Sequence, residues 1–113
     1  MITYAVTGGN SGVGYRLISR LIQQHSAATT TSEPPHIFMC CRNRKKAEDA
    51  IRNILSSCIP AEILDNEYDK TYSIHPSKWI EFVSCDLTDF KSVQSACKEI
   101  ESKVRLIMLY SLL

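Results

Sequence analysis

Apolar residues recur along the chain first at strand spacing and then at helix spacing, several times in succession. Residues 2–7 (ITYAVT) form a short run rich in β-formers that ends at a glycine turn, which predicts a buried parallel strand. Val13, Leu17, Ile18, Leu21 and Ile22 then repeat at helical intervals, with Arg16, Arg20, Gln23 and Gln24 on the other side. Residues 26–35 (SAATTTSEPP) are small and polar and close on two prolines, which predicts a solvated surface loop. A second apolar run at 37–41 leads into 44–57, where Ala47, Ala50, Ile51, Ile54 and Leu55, and then Cys58, share one helical face.

Residues 59–78 are acidic in their middle through Glu62, Asp65, Glu67 and Asp69 and are broken by Pro60 and Pro76. This exceeds the usual connection of about 2–6 residues, so the segment is either a functional insertion or a mobile loop. WIEFVSC at 79–85 predicts a third strand, and Thr88 or Asp89 caps a helix that buries Val93, Ala96, Cys97 and Ile100. A fourth strand is predicted at 106–110, with three residues after it.

The alternation places the chain in the α/β class. It predicts a partial Rossmann fold in which right-handed crossovers give a parallel sheet in the order 3-2-1-4 with flanking helices, ending after strand four. With 113 residues there is one domain and no internal repeat. A chain of this size buries only about 65% of the surface it exposes when unfolded.

Thirteen basic and twelve acidic residues leave a formal charge of +1, so no global field points to nucleic acid or to an anionic membrane. No stretch approaches the ~20 apolar residues of a membrane span. Strand one begins without a basic region, an apolar signal core or a small-residue cleavage site, and a cytosol-facing protein is expected. The five cysteines are odd in number and show no C-x-x-C spacing. Most of them read as buried thiols: Cys40, Cys41 and Cys85 in strands, Cys97 on the apolar side of a helix. His25, His36 and His75 have no metal-ligand spacing and receive no role.

Candidate chemistry lies where the strands end. Thr7-Gly8-Gly9-Asn10-Ser11-Gly12-Val13-Gly14 follows strand one and opens helix one. Glycines there let backbone N–H groups approach a phosphate at a helix N-terminus; the alternative is a tight strand-to-helix turn without a ligand. After strand two comes Cys41-Arg42-Asn43. An enzyme that selects NAD places a carboxylate here for the ribose 2′-hydroxyl. Arg42 instead offers a planar fork of donors for a 2′-phosphate, unless it is simply a solvated residue at a helix start. After strand three comes Cys85-Asp86-Leu87-Thr88, where Asp86 can also be read as a neighbour of a helix cap.

The spacing T-G-x-x-x-G-x-G resembles that of the short-chain dehydrogenase/reductase family. The resemblance covers nearly all of this chain but only the N-terminal half of the family's domain. It implies NADP(H) as cofactor, with contacts from Thr7, Gly8, Asn10, Ser11, Gly12, Val13 and Gly14 to phosphate and ribose, and from Arg42 and Asn43 near the 2′-phosphate. It also implies that Asp86 holds the adenine amino group while Leu87 packs on the ring. Within the family, IFMCCRN, the acidic insertion and WIEFVSCDLTDFKSV are most similar to fungal 3-ketosteroid reductases of sterol synthesis. That similarity implies a sterol ketone as substrate of a full-length relative, and work at an endoplasmic reticulum or lipid-droplet surface.

The family's catalytic tyrosine and lysine have no counterpart, because no Y-x-x-x-K occurs in the 113 residues. The N-A-G or N-A-A turn expected after strand four is replaced by Tyr110-Ser111-Leu112-Leu113. The sequence therefore reads as a shortened product, inactive on its own, with no catalytic and no metal-binding residue assigned. Three functions stay open: the NADP(H)-binding part of a reductase, a non-catalytic nucleotide-binding or interaction module, and a non-functional fragment. An unpaired strand-four edge with Leu106, Ile107, Met108 and Leu109 exposed would favour association with another chain.

Overall fold

The computed structural model describes the backbone of residues 2–27 and 34–112 and the side chains of 2–27 and 34–105. Strand β1 (Thr3–Thr7) leads into helix α1 (Gly12–Ala27), β2 (His36–Cys41) into α2 (Arg44–Cys58), and β3 (Ile80–Ser84) into α4 (Phe90–Leu112), with the short α3 (Ala61–Leu64) between α2 and β3. The three strands are parallel in the order β1-β2-β3, with Thr3 opposite His36 and Ile37 opposite Ile80. This is the α/β architecture expected from the sequence, with the first three strands in the expected arrangement.

The fourth strand is a correction: residues 106–110 continue α4, so neither the order 3-2-1-4 nor a strand-four edge is present among the described residues. LIMLY reads as strand or helix by hydrophobicity alone, since Leu and Met are also good helix formers. Extending a helix that already exists satisfies the backbone internally, whereas a strand needs a neighbour for every second group.

Side chains of β2 alternate between two cores. Ile37, Met39 and Cys41 face α1 and α2, where they meet Ile18, Ile22, Ala47, Ile54 and Leu55. Phe38 and Cys40 face α4, where they meet Val83, Cys85 and Ala96, with Val93, Ile100 and Val104 at the margin. Strand β2 is thus buried on both sides. Strand β1 is not: Tyr4 and Val6 pack inward, while Thr3, Ala5 and Thr7 are exposed because α4 covers β3 and not β1. Cys97 is exposed as well, one residue round the helix from the buried Ala96. Lys103 secures α4 to the sheet by pairing with Glu81 of β3 and with Glu99 at 3.0 Å.

The 59–78 segment is a folded insertion. His75 Nε2 donates to the Ile63 carbonyl at 2.9 Å, and its Nδ1 accepts from the Ser77 N–H at 3.2 Å, which fixes the tautomer. Trp79, 1% exposed, donates from Nε1 to the Ile74 carbonyl at 2.8 Å. Its ring lies edge-on to Tyr72 and His25, with centroids 4.9 and 5.0 Å away. The insertion is therefore locked against the end of α1 and the amino end of the sheet, away from the strands' carboxyl ends. Of the loop expected at 26–35, residues 28–33 lie outside the described residues, and Pro34 is fully buried.

Candidate functional site

The carboxyl ends of the three strands are drawn into line by two bonds: Gly8 N–H donates to the Cys40 carbonyl at 2.8 Å, and Cys85 N–H to the Cys41 carbonyl at 3.0 Å. The turn after β1 depends on its glycines. Gly8 and Gly12 have φ of +63° and +59°, where a side chain is strained. Gly14 is needed for a different reason: a Cβ there would stand 2.6 Å from the Gly8 carbonyl oxygen. The start of α1 is thereby pressed against the turn that precedes it. Among the described residues the N–H groups of Gly12, Val13 and Gly14 have no acceptor, and the helix's first bond runs from Tyr15 N–H to the Ser11 carbonyl at 3.3 Å. Free N–H groups at the positive end of a helix dipole attract an anion.

After β2, Asn43 caps α2: its Oδ1 accepts from Lys46 N–H at 2.9 Å. Its side-chain oxygen is therefore occupied in holding the helix start. The first turn of α2 is cationic throughout. Arg44 pairs with Glu48 at 3.6 Å and lies over the Phe82 ring, 4.8 Å from its centroid. Arg42 and Lys46 form no ion pair among the described residues and are exposed.

After β3, Asp86 N–H donates to Ser92 Oγ at 2.9 Å, and its Oδ1 accepts from Thr88 N–H at 3.0 Å and from Thr88 Oγ1 at 2.7 Å. Those two bonds, with a smaller contribution from the Arg42 charge, hold its carboxyl below the usual carboxylate range. Asp89 caps α4, its Oδ1 accepting from Lys91 N–H at 3.0 Å.

One cleft of about 540 Å³ joins these ends. Gly8, Asn10 and Ser11 form its wall from the β1 turn, Arg42 and Asn43 from β2, and Asp86 and Leu87 from β3. Thr7, Gly12, Val13 and Gly14 do not line it, and Val13 is 85% exposed. Lys46 and Thr88 line it although sequence reasoning did not select them. The signal for Lys46 was a first helical turn reading Arg-Lys-Lys, but only the phase of α2 decides which of these cations turns to the cleft. The cleft unites two cations without an ion pair among the described residues, an ionised carboxylate and an exposed apolar side chain, and the free N–H groups of α1 follow directly on Ser11 of its wall. That suits a polyanion carrying a base.

No protein-family model matches the chain. It is 30% identical over 101 residues to the 3-keto-steroid reductase erg27 of Schizosaccharomyces pombe, covering 87% of this chain and 25% of that protein. It is 27% identical over 98 residues to the human 3-keto-steroid reductase/17-beta-hydroxysteroid dehydrogenase 7, covering 87% and 22%. A short-chain dehydrogenase/reductase, drtF of Aspergillus calidoustus, is 30% identical over 100 residues, covering 88% and 24%. The fold matches menthone neomenthol reductase from Mentha piperita with a TM-score of 0.63 at 17% identity, covering 90% of this chain and 27% of that one. It also matches YwfH, an NADPH-dependent reductase of bacilysin biosynthesis, with a TM-score of 0.60 at 19% identity, covering 90% and 30%.

Fold and cleft thus define a parallel α/β unit of the Rossmann kind. The chain is a relative of the short-chain dehydrogenase/reductases, 3-keto-steroid reductases among them. It spans about a quarter of the length of the curated relatives it matches. Among the described residues no helix is long and apolar enough to cross a membrane.

Proposed function

We propose that this chain is the NADP(H)-binding part of a short-chain reductase and that the cleft takes the adenosine and phosphate end of the cofactor. The observation that carries the reading is the convergence of Gly8, Arg42, Lys46 and Asp86 on one cleft at the strands' carboxyl ends, where open α/β sheets bind their ligands. The residues present fit the group: the unsatisfied N–H groups at the start of α1 suit a pyrophosphate, and Arg42 and Lys46 suit a 2′-phosphate. Asp86 uses one oxygen on Thr88 and keeps the other for the adenine amino group, beside Leu87. When bound, the cofactor supplies a hydride for reducing a ketone. The acid that protonates the resulting alkoxide is assigned to no residue of this chain.

A sterol ketone is the substrate we propose for the longer protein, on the strength of the 3-keto-steroid reductases the chain resembles. The cytoplasmic side of the endoplasmic reticulum or of lipid droplets is the corresponding place of action.

Calorimetric titration of the 113-residue chain with adenosine 2′,5′-bisphosphate and with adenosine 5′-monophosphate tests the reading. Charge-assisted bonds to the 2′-phosphate should favour the bisphosphate by about ten-fold or more, and Arg42→Ala should erase that preference. Equal affinity for the two nucleotides would overturn it.

A further inference from the structure

Asp86 is the carboxylate among the residues that line the cleft, and Arg42 and Lys46 share the cleft with it. An aspartate side chain on a turn rotates readily towards a cation, yet no ion pair to either one forms among the described residues. Three bonds hold it instead. Ser92 Oγ, from the first turn of α4, accepts the Asp86 N–H at 2.9 Å, and the same helix packs Ala96 and Val93 against Phe38 and Val83 of the sheet. Thr88 donates its N–H at 3.0 Å and its Oγ1 at 2.7 Å, both to Oδ1. The hydroxyl does most to keep this carboxyl below the usual carboxylate range, ahead of the N–H. Oδ2 has no partner among the described residues. An ionised carboxylate oxygen accepts and never donates.

We propose that Thr88 and Ser92 are positioning residues that make this cleft select a purine with a 6-amino group over one with a 6-oxo group. This rests on the nucleotide-binding reading above and adds how the base is chosen. A 6-amino group donates to the free oxygen of Asp86, whereas a 6-oxo group turns a lone pair towards it and is repelled. A 6-oxo purine carries its donor on N1, one atom round the ring, and only a carboxylate free to turn reaches it. Thr88 removes that freedom from the side chain, and Ser92 removes it from the backbone. By the same bonds the anion is kept off Arg42, so base and 2′-phosphate are read by separate groups and not by one neutralised pair.

The test is calorimetric titration of the full chain with adenosine 2′,5′-bisphosphate and with inosine 2′,5′-bisphosphate. The unaltered chain should prefer the adenine nucleotide by about ten-fold, the worth of one charge-assisted bond. Thr88→Val keeps the shape and the N–H but loses the hydroxyl, and should bring the two affinities to within about three-fold; Thr88→Ser should restore the preference, and Ser92→Ala should lower it. Losing the hydroxyl also lets the Asp86 pKa rise. Adenine-nucleotide binding should therefore begin to fail at a higher pH in T88V than in T88S as the solution is acidified, a shift that a merely structural role for Thr88 would not produce. Equal affinity for the two bisphosphates in the unaltered chain, or a preference that T88V retains, would overturn this proposal alone, and the first comparison stands whichever variant folds. If neither bisphosphate binds the unaltered chain, the functional reading falls and the base selection falls with it.

Discussion

Replacing Gly14 by alanine sets two effects of opposite sign against each other. Gly14 is inside α1, so helix propensity alone predicts that alanine stabilises the chain by up to ~1 kcal/mol. The added Cβ, however, would stand 2.6 Å from the Gly8 carbonyl oxygen and 3.0 Å from both the Gly8 carbonyl carbon and Gly9 Cα. All three are backbone atoms of a turn already tied to β2 through Gly8, so relief requires α1 to move away from the sheet. Overpacking of this kind costs ~1–3 kcal/mol, which exceeds the propensity gain. G14A should therefore lose about 1–2 kcal/mol net, lowering the urea midpoint by about 0.5–1 M at an ordinary m-value. Gly9 provides the comparison. A Cβ there meets Ile18 Cδ1 at 2.8 Å and Met39 Cγ at 2.9 Å, side-chain atoms that can shift, so G9A should be the milder of the two. Urea denaturation followed by circular dichroism measures both. A G14A midpoint at or above that of the unaltered chain would refute the reasoning.

Trp79→Ala should destabilise by ~3–5 kcal/mol, since it empties a fully buried site and breaks the bond to Ile74, as urea denaturation would show. His75→Ala removes the bonds to Ile63 and Ser77 and should make the insertion the first site of proteolytic cleavage, at a global cost of about 1–2 kcal/mol. Lys46→Ala should weaken bisphosphate binding and flatten its dependence on salt, read by calorimetry at two ionic strengths. For His36, burial lowers the folded pKa despite the nearby Glu81, and Lys103 works in the same direction as burial. A group whose folded pKa lies below its unfolded value of about 6.5 adds stability above that value and loses it as pH falls through the folded pKa. Stability should thus decline below about pH 6.5, and His36→Asn should flatten the decline in urea midpoints measured across that range.

Much of the site was legible because it rests on short-range geometry. A glycine needed for positive φ at Gly8 and Gly12, or for close approach at Gly14, announces itself in the local sequence, as does the cationic start of α2. Asn43 shows the limit of such reading. Its position beside Arg42 suggested a ligand contact, and it does line the cleft, but its second duty, the cap in which its oxygen accepts the Lys46 N–H, shows only in the structure. Lys46 was hidden for the converse reason, since the helical phase that turns it to the cleft depends on how α2 packs. Cys97 was misplaced by one step of that same phase on α4, where Ala96 takes the buried position.

The sequence alone determined the elements whose pattern is unambiguous: three β-runs, the helices that follow them and the turn of glycines between β1 and α1. Periodicity is a local property, so it survives without knowledge of the neighbours. Tertiary structure decided what depends on neighbours. It made 106–110 helix rather than strand, left one face of β1 open because α4 covers β3, and closed the acidic insertion around His75 and Trp79. It also brought Arg42 and Lys46 to one cleft with Asp86, since segments so far apart in the chain meet only where parallel strands end side by side.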